Sequence, residues 1–249
     1  MKCLLMVVLV MFNWFSLMGQ SSDLLDGAKS LERQYKTLQA IAVYQQYRQL
    51  HPSEMQCTIR IAELYVMYSD EVQATSEKKI WLDSAAHAVQ YAFQLDSLHA
   101  DCFYAKALVT GKLIDYVSLK EKAASTKSIK DDADKALLID PQHLKAAHLL
   151  GRWNMEVSSL NPAAKTAMKL VFGGLPPASM DVAIEIFQRV RKRSPSFLAN
   201  NLDLALALKK TGKPREAIEL LEYQLKLPTK TAEDVLIKKQ SKALLESFQ

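Results

Sequence analysis

The side chains with the most chemical capacity do not assemble into a catalytic signature. The five histidines are His51, His87, His99, His143 and His148. The closest pair is five residues apart, about 140° around a helix, whereas two imidazoles share a face, and a metal, at a spacing of four. GxSxG, GxGxxG, phosphate-loop and CxxC motifs do not occur, so neither an enzyme nor a cofactor is expected. Arg189 to Arg193 (RVRKR) closes a helical stretch, where cations meet the negative end of the macrodipole, and reads as a solvated helix end. Recognition chemistry is better placed at Lys145, His148 and Arg152, whose spacings of three and four lay them along one helix face. The planar fork of Arg152 suits a carboxylate, and His148 one turn earlier can share the acceptor. The expected ligand feature is therefore acidic, a side chain or a chain terminus. The competing role for Arg152 is an internal pair with Glu156, four residues on, or with Glu63.

The elements that position these residues must be helices. Seven Gly and eight Pro among 249 residues are about half the usual share, too few for the turns of an all-β fold. Apolar residues at 49% and charged residues at 24% describe an ordinary globular chain. The net charge of +5 is spread along the sequence, so no nucleic acid is implied. The N-terminus is different. Lys2 precedes the apolar run Cys3 to Phe12, which continues weakly to Met18 before Gly19. This is short of the ~20 residues a span needs, so residues 1–19 read as a secretory signal cut near Gly19. The chain is then exported to the periplasm or cell envelope, and a membrane enters only if that segment stays uncleaved as an anchor. Cys57 and Cys102 remain, too few for a disulfide framework. Equivalent positions in adjacent units point the same way rather than at each other, so both are expected as buried free thiols.

Internal repetition is the strongest signal. Pro52, Ser97, Pro141 and Pro195 each end a helical stretch. Twelve, eight and five residues before them stand Ala40/Tyr44/Tyr47, Ala85/Val89/Ala92, Ile129/Ala133/Ala136 and Ala183/Phe187/Val190, one apolar helix face each time. Nine and ten residues after them come Ile61-Ala62, Lys106-Ala107, Leu150-Gly151 and Leu204-Ala205. The tenth residue is always small, as close helix packing requires, and only Lys106 breaks the apolar slot.

These spacings resemble the tetratricopeptide repeat, with the unit from Pro195 to Thr229 at its standard 34-residue period. The earlier units are longer, with the excess expected near 69–79, 111–127 and 159–178, projecting from one edge. The second half is more specific. The helix His143 to Trp153, the segment Phe172-Gly173-Gly174-Leu175-Pro176-Pro177-Ala178-Ser179, and Leu227-Pro228 with Thr231 to Asp234 resemble the regulator of microtubule dynamics family. The resemblance implies divergent tetratricopeptide repeats and a binding role. Microtubule association is not carried over, because a bacterial-type export signal would keep the chain from meeting one.

The expected architecture is an all-α, right-handed tetratricopeptide-like solenoid. Its repeats fall near 24–52, 54–97, 99–141, 143–195 and 197–229, and a capping helix at 231–248 buries Leu236, Ala243 and Leu244. The first helices of such a stack line a concave groove. Offsets of four, seven, eleven and fourteen after each anchor place Glu63, Tyr104, Lys145, His148 and Arg152 there as the candidate partner-binding set. The expected function is an exported, non-catalytic adaptor holding a peptide or partner helix. The alternative is a cell-envelope hydrolase or small-ligand-binding protein that uses 159–178 as a lid.

Overall fold

The computed structural model describes residues 22–248, so the expected export segment at 1–19 lies outside the described residues. Within them every regular element is helical, and there is no strand. Helix α1 runs through residues 22–33. It is followed by α2 (Thr37–Leu50), α3 (Met55–Glu71), α4 (Thr75–Leu95), α5 (Ala100–Leu113) and α6 (Leu119–Ile139). Then come α7 (Leu144–Ser158), α8 (Pro162–Phe172), α9 (Met180–Arg193), α10 (Leu198–Lys210), α11 (Pro214–Lys226) and α12 (Ala232–Glu246). Helices pack as successive antiparallel pairs, α3 on α4, α5 on α6, α7 on α9 and α10 on α11, with α12 against α10 and α11. The result is an all-α tetratricopeptide-type solenoid.

The repeat positions explain the packing. All twelve residues at the three offsets before the anchors are buried, from Ala40 to Val190. Gly151 shows why the tenth position after each anchor must be small, since a Cβ there would lie 2.5 Å from Cε1 of Phe187. Lys106, the exception in the apolar slot, reaches an exposed position and pairs at 2.9 Å with the buried Asp132 on α6. The ion pair compensates a charge that would otherwise be costly to bury.

Two sequence expectations are corrected. The surplus at 69–79 and 111–127 does not project as insertions; it lengthens the helices, so that α4 and α6 each have 21 residues. The extra turns of α3 and α4 stay helical because Trp81 packs between Tyr65 and Tyr68, with ring centres 5.7 and 4.9 Å away. A reciprocal capping box between Ser118 and Glu121 starts α6. Only 159–178 forms a separate piece, the short helix α8. Asn161 caps its N-terminus, Pro162 occupies its first turn, and Gly173 closes it at φ 72°, a left-handed geometry that favours glycine. The second correction concerns α12. Leu236 is 37% exposed and Ala243 is exposed, while Ile237 and Ser241 are buried with Leu244 half-buried. The helix is rotated by one residue because the buried Gln224 of α11 donates to the Ser241 hydroxyl, which in turn donates to the Ile237 carbonyl at 2.7 Å. Giving the buried amide nitrogen of Gln224 an acceptor outweighs a purely apolar stripe, even though its Oε1 has no partner among the described residues.

Candidate functional site: a charged groove with a cavity beneath it

Side chains from non-adjacent units meet across the first helices, which identifies α1, α3, α5, α7 and α10 as the inner face of the curve. Lys145 on α7 contacts Glu63 on α3 at 2.5 Å, bridging over α5. Glu63 also takes Arg60 at 2.7 Å, and Arg60 reaches back to Glu32 on α1. Burial pushes the Glu63 carboxyl up, but Lys145 and Arg60 outweigh it and hold it below the usual range. Tyr104, buried beneath this cluster, has its hydroxyl held well above its usual pKa by burial and by the Glu63 charge. The Lys145 ammonium stands 5.7 Å from the Tyr104 ring centre. Glu63, Tyr104 and Lys145 are thus brought together.

His148 and Arg152 form a second cluster around Asp203 of α10. His148 Nε2 lies 2.8 Å from Asp203 Oδ2, and Arg152 Nε lies 3.4 Å from the same oxygen, outside hydrogen-bond geometry. Arg152 donates through Nη2 to Glu156 at 3.0 Å. Of the two internal partners considered for Arg152, the structure shows Glu156 and not Glu63. Burial works against the Arg152 charge, yet Asp203 and Glu156 outweigh it and raise its pKa. Between the clusters, Asp101 accepts from Gln56 and His143, each at 2.8 Å. His143 Nδ1 takes the Ala146 backbone N–H as helix cap, so its Nε2 carries the proton donated to Asp101. His143 and Gln56 hold the Asp101 carboxyl down at about 2. The Met155 and Ile59 positions of the expected stripe are buried in the core instead.

Sequence reading missed Asp203 and Arg60, which both stand eight residues after an anchor, one beyond the stripe's seventh position. The signal was present in LDLALALKK, where Asp203 interrupts an aliphatic run. Also missed was Glu233 at the start of α12. Its side chain is exposed, and nearby protein mass and the Glu63 charge raise its carboxyl pKa against the opposing pull of Arg60 and Lys112.

A cavity of about 440 Å³ opens beside Arg152. Leu108 and Gly111 of α5, Ile129 of α6, Leu149 and Trp153 of α7 and Met168 of α8 line it, with Lys112, Lys122, Asp115 and Glu156 also on its wall. At Gly111 a Cβ would find only Ile129, at 3.9 Å, so the missing side chain leaves open space rather than relieving a clash. The Trp153 indole is fixed by donating to the Thr126 carbonyl at 2.7 Å. Cys57 and Cys102 are buried free thiols, each pushed up to about 11 by burial. Among the described residues no group of three His, Cys, Asp or Glu side chains is placed to hold a metal ion.

Successive helix pairs stacked in this order define a tetratricopeptide-type fold. A thermophilic tetratricopeptide protein from Thermus thermophilus has the same fold, superposing with a TM-score of 0.66 at 9% identity over 91% of this chain and 99% of the other. The chain belongs to the regulator of microtubule dynamics protein 1-3 family, whose sequence profile matches residues 24–249. It is 27% identical over 191 residues to regulator of microtubule dynamics protein 3 of Bos taurus, covering 76% of this chain and 41% of that protein. It is 25% identical over 232 residues to protein 1 of the same organism, covering 91% and 71%. The chain therefore spans about two-fifths of the length of the protein 3 relative it matches.

Proposed function

We propose that this chain is a non-catalytic scaffold that holds a protein segment with an acidic feature in its inner groove, and that it works outside the cytoplasm. The fold is one of protein-interaction scaffolds. The observation that supports the acidic ligand is the uneven holding of Arg152. Its contact with Asp203 involves a carboxylate only 13% exposed, whereas Glu156 is 61% exposed and belongs to an i,i+4 pair. Such surface pairs contribute only about 0.3–0.5 kcal/mol. A partner carboxylate can therefore replace Glu156 at Arg152 while Asp203 keeps the guanidinium in place. The test is capture of partners by the purified chain, with and without substitution. Arg152→Ala should weaken capture by about 2 kcal/mol, and Glu156→Gln should strengthen it by removing the competitor. Capture indifferent to both substitutions rejects the acidic-ligand reading. Export is supported by the charged-then-apolar N-terminus, and a mature protein beginning near Gln20 outside the cytoplasm of a bacterial host is the expected result. A full-length chain beginning at Met1 in the membrane fraction would assign that segment as an anchor.

A second reading rests on the cavity. Its apolar wall and its size suit a small apolar ligand, with α8 as a lid, while the cations at its rim are already paired, Lys112 with Asp70, Lys122 with Asp115 and Arg152 with Glu156. Gly111→Leu fills the space, and ligand binding that survives this substitution rejects the second reading.

A further inference from the structure

A second cleft, of about 530 Å³, lies on the opposite side of the first two complete helix pairs, between the end of α2 and the middle of α4. Arg48, Gln49 and Pro52 form one wall, Ser84, His87, Ala88 and Tyr91 the other, and Tyr65 of α3 the floor. None of these eight residues is acidic. Arg48 is half-buried, yet among the described residues it has no carboxylate partner, unlike Arg60 and Arg152. Its guanidinium carbon stands 5.6 Å from the Tyr91 ring centre. A ring face attracts the cation but accepts none of its N–H bonds in the guanidinium plane. Tyr91 is itself held in place, its hydroxyl donating to the Pro52 carbonyl at 3.1 Å. The Ser84 hydroxyl is spent on the Ile80 carbonyl at 2.9 Å, and the Tyr65 hydroxyl accepts from Gln45 at 2.6 Å. Among the described residues, unused donors remain on the Arg48 fork, the Gln49 amide and the His87 ring, above an aromatic and aliphatic floor.

We propose that this cleft binds a small organic anion, a phosphate or carboxylate carried on a flat ring, with the oxyanion at Arg48 and the ring over Ala88 and Tyr65. Its volume falls in the usual range of small-molecule sites and exceeds what a bare oxyanion fills. Positive charge with no acid in the cleft makes the site selective for anions, and the guanidinium fork fits two oxygens at once.

Calorimetric titration of the purified chain with phenyl phosphate, benzoate and inorganic phosphate tests this. Saturable one-to-one binding of phenyl phosphate or benzoate is expected, at least tenfold tighter than inorganic phosphate, and the tighter of the two ring-bearing probes identifies the oxyanion. Arg48→Gln should lower that affinity at least tenfold without moving the melting temperature, and Arg152→Ala should leave it unchanged. Ser84→Phe fills the cleft without touching the charge and should abolish binding, which decides the matter should Arg48→Gln fail to fold. No saturable binding of either ring-bearing probe, equal binding of inorganic phosphate, or affinity that survives both cleft substitutions overturns the proposal.

Discussion

The groove contains two half-buried arginines and the outer cleft one, and they differ in what faces them. In the groove Arg60 meets Glu32 and Glu63, and Arg152 meets Asp203 and Glu156. In the cleft Arg48 meets, among the described residues, only a tyrosine ring. Charge in the groove therefore ties units to one another, and a ligand there has to compete with the chain's own carboxylates. Charge in the cleft does no such structural work. The same residue type thus serves cohesion on one face and remains available on the other, and the neighbours decide which.

The sharpest way to break this contrast is at Asp203. Asp203→Ala leaves His148 without its acceptor and Arg152 without one of its two carboxylates, and calorimetric melting should show a loss of about 2 kcal/mol, less than for a fully buried pair because Arg152 is 39% exposed. A variant as stable as the parent would mean that groove charges are no more structural than those of the cleft. Acid gives a milder test. The Asp101 carboxyl sits at about 2 in the folded state, below its unfolded value, so its contribution is complete above about pH 4 and is lost as pH falls through 2. Denaturant melts at pH 5 and pH 2.5 should differ by on the order of 2 kcal/mol through this group, and Asp101→Asn should shrink that difference. The smallest effect is expected in the cleft. Arg48→Gln should change stability by less than about 0.5 kcal/mol, as for substitutions that leave no buried group unpaired. A larger loss would show that Arg48 holds α2 to α4.

Much of the scaffold was legible because helix packing depends on position in a period. The four anchors located the buried faces of α2, α4, α6 and α9, and the small residue expected at Gly151 is demanded by Phe187 packed against it. The candidate site was legible only in part. Lys145, His148, Arg152, Glu63 and Tyr104 do lie along the inner helices, but periodicity carries no information about which acid from another unit will meet a given cation. Asp203 is 51 residues from Arg152 in the chain, and Glu63 is 82 from Lys145. The rotation of α12 was hidden for a related reason, because the buried Gln224 had to find Ser241. Hydrophobic stripes predict where a helix packs only when no buried polar group claims the interface.

The Glu63–Lys145 contact has a mechanical meaning. In a stack where each unit touches only its neighbours, the coil bends as a spring whose pitch is set by the sum of many small hinges. A strut from α3 to α7 skips one hinge and fixes a chord of the arc instead. Because Lys145 is 48% exposed, ionic strength weakens that strut. The curvature of the solenoid should then respond to the salt around it.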